Sequence, residues 1–203
     1  MANGKVITGY SKPYIAKYTY SDDTITYSDA MYLARGVNVS VEATSGDGVH
    51  FYADNVTAES VGGVFTGATI TMVVDGLKEE ARKLIMGLPT ATTVTVDGKA
   101  YNKLIYDDRQ QIPYVGIGFV VRYMENGNTT YDAVVFNKAA FSVDGLEANT
   151  QEDEVEFQTT ELTATLMRDD SQYHEWRNII QELPSEADAI AAIQQILGGG
   201  ASI

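Results

Sequence analysis

Two dipeptides constrain this chain more than any other feature. Asp97-Gly98 stands between Thr92 to Val96 and Lys99 to Ile105; Asn126-Gly127 stands between Ile112 to Met124 and Thr129 to Phe136. A two-residue hairpin loop needs positive φ at both central positions, and Asn or Asp followed by Gly adopts that at least cost. Each dipeptide therefore predicts two antiparallel strands in fixed register. Ser21-Asp-Asp23, between Tyr18-Thr-Tyr20 and Thr24 to Tyr27, gives a third hairpin.

Period two recurs elsewhere. Gly36 to Glu42 alternates strictly, with Val37, Val39 and Val41 on one side and Asn38, Ser40 and Glu42 on the other. Gly67 to Val74 alternates with Ala68, Ile70, Met72 and Val74 on one face. Between them, Thr44-Ser-Gly-Asp-Gly48 is a turn signal, His50 to Ala53 a short strand, and Asn55 to Gly63 reads as loop. Thr44 to Gly63 is thus a long hydrophilic excursion. Asp144-Gly145 is a further turn. Val155 to Met167 reads as a long strand with Val155 and Phe157 in one phase and Leu162, Ala164 and Leu166 in the other, which predicts a bulge between them. Ile112 to Met124 is apolar in both phases and should be buried on both faces. Gly116-Ile-Gly118 within it predicts close approach by a neighbouring element.

Helical spacing appears in two places. Leu77, Ala81, Leu84, Ile85 and Leu88 predict a helix over 76–88, with Asp75 as N-cap and Gly87 and Pro89 as the stop. Tyr173, Trp176, Ile179, Ile180 and Leu183 share a helical face before Pro184. Ser185-Glu-Ala-Asp188 then opens another helix in a loose capping-box pattern, carrying Ile190, Ile193, Ile196 and Leu197 to Gly198-Gly-Gly200. Met1 to Lys17 has no clear period and reads as an extended arm. The chain is expected to be mainly β: an antiparallel β-sandwich or partial barrel with one flanking α-helix. It divides into an N-terminal arm (1–17), a β domain (18–170) containing the long loop, and a C-terminal helical extension (171–203).

With 203 residues, 44% of them hydrophobic, the chain can bury one real core. A compact monomer of this mass would expose roughly 9,000 Å². Fourteen Lys and Arg against 28 Asp and Glu give a net charge of −14. Tight nucleic-acid binding rests on Lys and Arg contacts to phosphate, so this balance argues against it, and equally against an anionic membrane surface. No apolar run reaches the roughly 18 residues of a membrane span. No apolar stretch follows Lys5, so a signal peptide is not expected, which fits synthesis in a cytoplasm. With no cysteine, disulfides and thiolate metal sites are excluded.

Chemistry-bearing patterns are sparse. His50 and His174 stand far apart, and no Gly-x-Ser-x-Gly elbow accompanies either; a strand His and a helix-surface His are the simpler readings. Asp22-Asp23, Asp107-Asp108, Asp169-Asp170 and Glu152-Asp-Glu154 lack the spaced calcium loop and read as solvated turns. Gly116-Ile-Gly118 lacks the third glycine of a dinucleotide fingerprint. A carboxylate pair of a glycoside hydrolase is nominated by no feature. Asn38, Asn55 and Asn128 match the glycosylation pattern and read as coincidence. No catalytic residue, metal or cofactor is therefore expected. An apolar arm, a long loop and an apolar terminal helix are instead extensions that can reach a neighbour or fold back.

Several segments resemble the major tail proteins of long-tailed, non-contractile bacteriophages. They are Phe51-Tyr-Ala-Asp-Asn55 after an alternating valine strand, the helix from Asp75 to Leu88, Ile112-Pro-Tyr-Val-Gly-Ile-Gly-Phe119, Tyr131 to Lys138, and Glu154-Val-Glu-Phe-Gln-Thr-Thr160. Their order and spacing carry the likeness, from about Tyr18 to Trp176. The resemblance implies a tail-tube fold whose subunits form hexameric rings, stacked into a hollow conduit for the genome. It implies a virion tail assembled in the host cytoplasm. The implied partners are further copies, tape measure, tail-tip and tail-terminator proteins, and double-stranded DNA in transit. It implies that the arm and long loop join rings, which assigns Val6, Ile7, Tyr10, Tyr14, Ser45, Asp47, Phe51, Tyr52 and Asp54 to inter-ring contacts. An acidic lumen would repel phosphates; the polar faces Asn38, Ser40 and Glu42, and Glu154, Glu156 and Gln158, are candidate linings. The alternative is a monomeric β-sandwich that binds carbohydrate or a receptor, with Tyr10, Tyr14, Tyr18, Tyr20, Tyr27 and Tyr32 as its aromatic cluster.

Overall fold

The computed structural model describes residues 4–47, 49–53, 56–143, 145, 150 and 157–198, with backbone alone for 49–53 and 56–61. The elements in chain order are β1 (Val6–Ser21), β2 (Thr24–Tyr32), β3 (Gly36–Ser45), β4 (Val49–Ala53), β5 (Val56–Val61), β6 (Phe65–Val74), α1 (Glu79–Met86), β7 (Thr92–Val96), β8 (Lys99–Lys103), β9 (Val115–Glu125), β10 (Asn128–Phe141), β11 (Thr160–Met167), β12 (Arg177–Leu183) and α2 (Glu186–Ile196).

All three hairpins form as the turn chemistry demands. The ladders close at Ser21↔Thr24, Val96↔Lys99 and Glu125↔Asn128. The turn residues Asp22, Asp23, Asp97, Gly98, Asn126 and Gly127 all lie at φ between 49° and 83°. The molecule is mainly β, and every strand pair is antiparallel. One eight-stranded sheet runs β2-β1-β9-β10-β11-β6-β3, with β12 also beside β10. A single edge of β10 serves two neighbours. Tyr131 to Phe136 pair with β12, and Lys138 to Phe141 pair with β11. A register shift between Phe136 and Ala139 falls where one partner gives way to the other.

The halves of that path face each other across one core. Ile15, Ile117, Phe119 and Phe136 from β1, β9 and β10 meet Ile70, Met72, Leu162 and Leu166 from β6 and β11; Ala81, Ile85 and Met86 of α1 join the same cluster. Tyr10 of β1 reaches Gly36 at the start of β3, where any Cβ would collide with its ring at 2.3 Å. A second cluster lies on the other face of β9 and β10, where Val120, Ala133 and Val135 pack under Ala189, Ile193 and Leu197 of α2. Val115 through Val121 are consequently buried on both faces, as their composition requires. Gly116 and Gly118 are where α2 comes closest. A Cβ there would stand 2.6 Å from Leu197 and 2.5 Å from Ile193, respectively.

Several sequence expectations are corrected. Residues 6–17, read as an arm, form most of β1, laid along β9 from Val6↔Met124 to Lys17↔Val115. Shifts at Ile7/Gly9 and Ser11/Tyr14 break the alternation, which hides the strand from a periodicity reading. Ile15 and Ala16 are both fully buried, one in each core cluster. The loop expected over Asn55 to Gly63 contains β5, paired with β4. The helix expected over 76–88 is α1, a shorter element capped at its C-terminus by Gly87 in the left-handed region. Asp75 does not cap it, because its carboxylate accepts from the Arg35 main-chain N–H at 3.0 Å and pairs with the Arg35 guanidinium. The strand expected from Val155 begins at Thr160, with Leu162, Ala164 and Leu166 inward as read. The described Phe157 lies ahead of it at 94% exposure. Finally, residues 173–183 are not helical. Tyr173 is exposed, and β12 pairs with β10. Adjacent Ile179 and Ile180 mimic a helical face, yet in β12 Ile180 turns inward and Ile179 outward.

The helix opened by Ser185 is α2, and its cap is as read, with the Ser185 hydroxyl accepting from Asp188 N–H at 3.1 Å. Val37 departs from its expected face. It sits in a register shift between Gly36 and Asn38 and is 58% exposed. Met1 to Asn3, Asp144 of the expected turn, the Glu152-Asp-Glu154 cluster, Asn55, Val155 and Gly199-Gly200 lie outside the described residues. The chain exposes 13371 Å², well above the roughly 9,000 Å² of a compact monomer. The β7–β8 hairpin, exposed along both strands, is one contributor.

Candidate functional site

The alternation that aims Ala68, Ile70 and Met72 of β6 at the core necessarily aims Thr69, Thr71 and Val73 away from it. Registers with the flanking strands extend this outer face into rows. Asn38, Val73 and Glu161 form one row; Ser40, Thr71 and Thr163 the next; Glu42, Thr69 and Thr165 the third. Asn38, Ser40, Glu42, Thr69, Glu161 and Thr165 are exposed, and Thr71, Val73 and Thr163 are half-buried. The nine positions hold five hydroxyls, two carboxylates and no cation. Neither helix covers them, since α1 packs into the core and α2 lies against β9, β10 and β12.

Sequence reasoning found one strand of this face, Asn38, Ser40 and Glu42, and missed the β6 and β11 positions. Their signal was the polar phase of the alternations that located the core. Gln158 is exposed, just ahead of β11. Glu154 and Glu156 lie outside the described residues.

The residues assigned to inter-ring contacts divide. Val6 and Ile7 are exposed at 61% and 63%, opposite Met124 and Tyr123 at one end of the sheet. Ser45 and Asp47 are exposed at the root of the β4–β5 hairpin, which continues the β3–β6 ladder outward through Gly46 N–H to the Val64 carbonyl. Phe51 and Tyr52 lie on β4, and Asp54 is outside the described residues. Tyr10 is turned into the core, edge-on to Phe119 at 5.3 Å, and Tyr14 packs on Tyr32 at 5.6 Å, so neither ring is presented outward.

The densest polar grouping lies where β10 meets the connection from β11 to β12. Asn137, 5% exposed, donates from its amide to the Asp169 carboxylate at 2.8 Å and accepts from Asn178 at 3.0 Å. Its main-chain carbonyl accepts from the Tyr27 hydroxyl at 2.9 Å. Asp169 also accepts from the Ser171 hydroxyl at 2.6 Å and the Ser171 N–H at 3.1 Å. Next to it, Asp170 accepts from the Tyr18 hydroxyl at 2.6 Å and from Lys138 at 2.7 Å. Lys138 in turn lies over the Tyr114 and Tyr18 rings. The Lys138 ammonium, then the Tyr18 hydroxyl, hold the Asp170 carboxyl below the usual range. Burial, then the bond to Asp170, push the Tyr18 hydroxyl up. Burial does the same to Tyr27.

Ser171, His174 and Asp169 are close, but not as a nucleophile and its base. The Ser171 hydroxyl donates to a carboxylate, while His174 Nδ1 lies 3.2 Å from the Asp169 main-chain oxygen, an acceptor that requires Nδ1 to carry the proton. His174 is in a turn at φ 52°, not on a helix surface. His50 lies on β4. This geometry braces the β1–β2 hairpin, β10 and the β11–β12 connection against one another. Among the described residues, no group of three His, Asp or Glu side chains is arranged to hold a metal ion. Among the same residues, no helix is long and apolar enough to cross a membrane. The chain matches no protein-family model and no curated protein sequence.

Proposed function

We propose that this protein is a structural subunit that assembles with copies of itself into stacked rings, forming the tail tube of a long-tailed bacteriophage and conducting duplex DNA. The observation that carries the reading is the uncovered β3-β6-β11 face, polar, acidic and without a cation. A conduit must pass phosphate without holding it. Each Lys or Arg contact to phosphate strengthens binding, and a wall of hydroxyls and carboxylates supplies none. We assign Asn38, Ser40 and Glu42, joined by Thr69, Thr71, Glu161, Thr163 and Thr165, to the lumen. The β4–β5 hairpin and the Val6–Ile7 end of β1 are the inter-ring contacts of this reading. The terminal strands β2 and β3 leave sheet edges that neighbouring copies can close.

The rival reading, a monomeric glycan-binding or receptor-binding module, needs exposed aromatic rings in a cluster. The tyrosines that suggested one are largely engaged with each other and with the core: Tyr10 with Phe119, Tyr14 with Tyr32, and Tyr18 with Tyr27 at 5.8 Å.

Negative-stain electron microscopy of the purified protein over a range of concentration tests the proposal. Rings or hollow tubes with a central pore are expected. Particles that stay monomeric even with tail-tip components present would overturn it in favour of the binding module.

A further inference from the structure

We infer that the outer face of the β7–β8 hairpin docks against the β2 edge of a second copy of this chain. The inference rests on the assembly reading for its setting and on the hairpin's own chemistry for its content. In the hairpin, Val94 pairs with Tyr101, Val96 with Lys99 and Thr92 with Lys103, which puts these six side chains on one face. Val94, Val96 and Tyr101 are 45%, 51% and 51% exposed. Asn102 is on the opposite face and donates to the Glu79 carboxylate of α1 at 3.1 and 3.2 Å, which turns the apolar face away from the rest of the chain.

An isolated two-stranded hairpin is marginal in water. Among the described residues it is a separate two-stranded sheet with no further strand on either edge, and both its strands are exposed throughout. Such a surface is completed by a partner. Charge selects which one. Lys99 and Lys103 flank Tyr101, against the single acid Asp97 of the turn, on a chain of net charge −14. β2 is the terminal strand of the large sheet; Asp29 is exposed on it, and Asp22 and Asp23 are exposed in the turn that leads into it. A cationic, apolar hairpin with open edges and an acidic open edge are complementary. They lie on different parts of the molecule, so the contact is head-to-tail, which generates a ring where the rotation between copies closes and an open filament where it does not.

Sedimentation velocity at fixed salt, over a range of protein concentration, tests this with K99E/K103E and Tyr101→Ser. All three positions are exposed, so thermal unfolding should stay within a few degrees of the parent. Self-association is expected to weaken by about tenfold or more. D22N/D23N, which keeps residues that tolerate the positive φ of that turn, should weaken it as well, because the same contact then loses acidic charge. Unchanged association of K99E/K103E and Tyr101→Ser would overturn the hairpin contact while leaving tube assembly standing. Weakening by the hairpin variants but not by D22N/D23N would overturn the β2 edge as its target. A parent chain that never associates would overturn both this inference and the assembly reading.

Discussion

Gly118 of β9 lies so close beneath Ile193 of α2 that a Cβ on the glycine would stand 2.5 Å from Ile193 Cγ2. That approach lets the helix cover the second face of the central strands and bury Ile193 and Leu197 completely. Full burial of side chains of this size contributes about 1.5–3 kcal/mol each.

Gly118→Ala should therefore destabilise the protein by about 1–3 kcal/mol, because α2 must shift to admit the methyl group. Gly9→Ala is the control. A Cβ there meets Arg122 Cβ at an ordinary 3.7 Å, so its cost should stay within about 0.5 kcal/mol. Urea unfolding of both variants checks the difference. Equal effects would mean that α2 does not depend on the glycine.

Asp170 gives the pH dependence its sign. Its folded-state pKa is depressed, chiefly by Lys138, so its contribution is fully present above the unfolded value of about 3.9 and is lost as pH falls through the folded value. Asp170→Asn should lower stability by about 1 kcal/mol at pH 7, since the carboxylate is partly solvated. The gap from the parent should close below about pH 4. Denaturation curves from pH 7 down to pH 2 read this directly; a gap independent of pH would assign the effect to packing.

The Tyr10 hydroxyl is buried and has no hydrogen-bond partner among the described residues. A buried polar group left unsatisfied costs about 1–3 kcal/mol. Tyr10→Phe keeps the ring against Phe119 and Gly36 and removes that cost, so the variant should be as stable as the parent or more stable by about 1 kcal/mol. A loss of stability in thermal unfolding would reveal a partner for the hydroxyl.

Lysines on the β3-β6-β11 face should change DNA binding without changing the fold. Ser40→Lys, Thr71→Lys and Thr163→Lys share one row of that face. Combined, they should create salt-dependent binding to duplex DNA where the parent binds little, with a slope of up to about 0.9 in log K per phosphate contacted. Fluorescence anisotropy across a salt series measures it. Binding as weak as the parent's would show that the row does not approach phosphate.

The sequence by itself determined the local events. Dipeptides at Asp97, Asn126 and Asp22 fixed three hairpins, because positive φ at two adjacent positions is a property of those residues alone. Alternation located the inward faces of β6 and β11. Gly116 and Gly118 announced a close neighbour, and Ser185 announced the start of α2. One strand of the candidate face, Asn38, Ser40 and Glu42, was legible for the same reason.

Tertiary structure decided whatever depends on a partner distant in sequence. β1 looked like an arm because its shifts of register are set by β9, more than a hundred residues away. β12 looked helical because Ile179 and Ile180 are adjacent, and only pairing with β10 sends them to opposite faces. Asp75 was drawn from its cap by Arg35, forty residues earlier. The candidate face itself exists only in register. Thr71 becomes the centre of a polar row when Ser40 and Thr163 are brought to either side of it, and no local pattern carries that alignment.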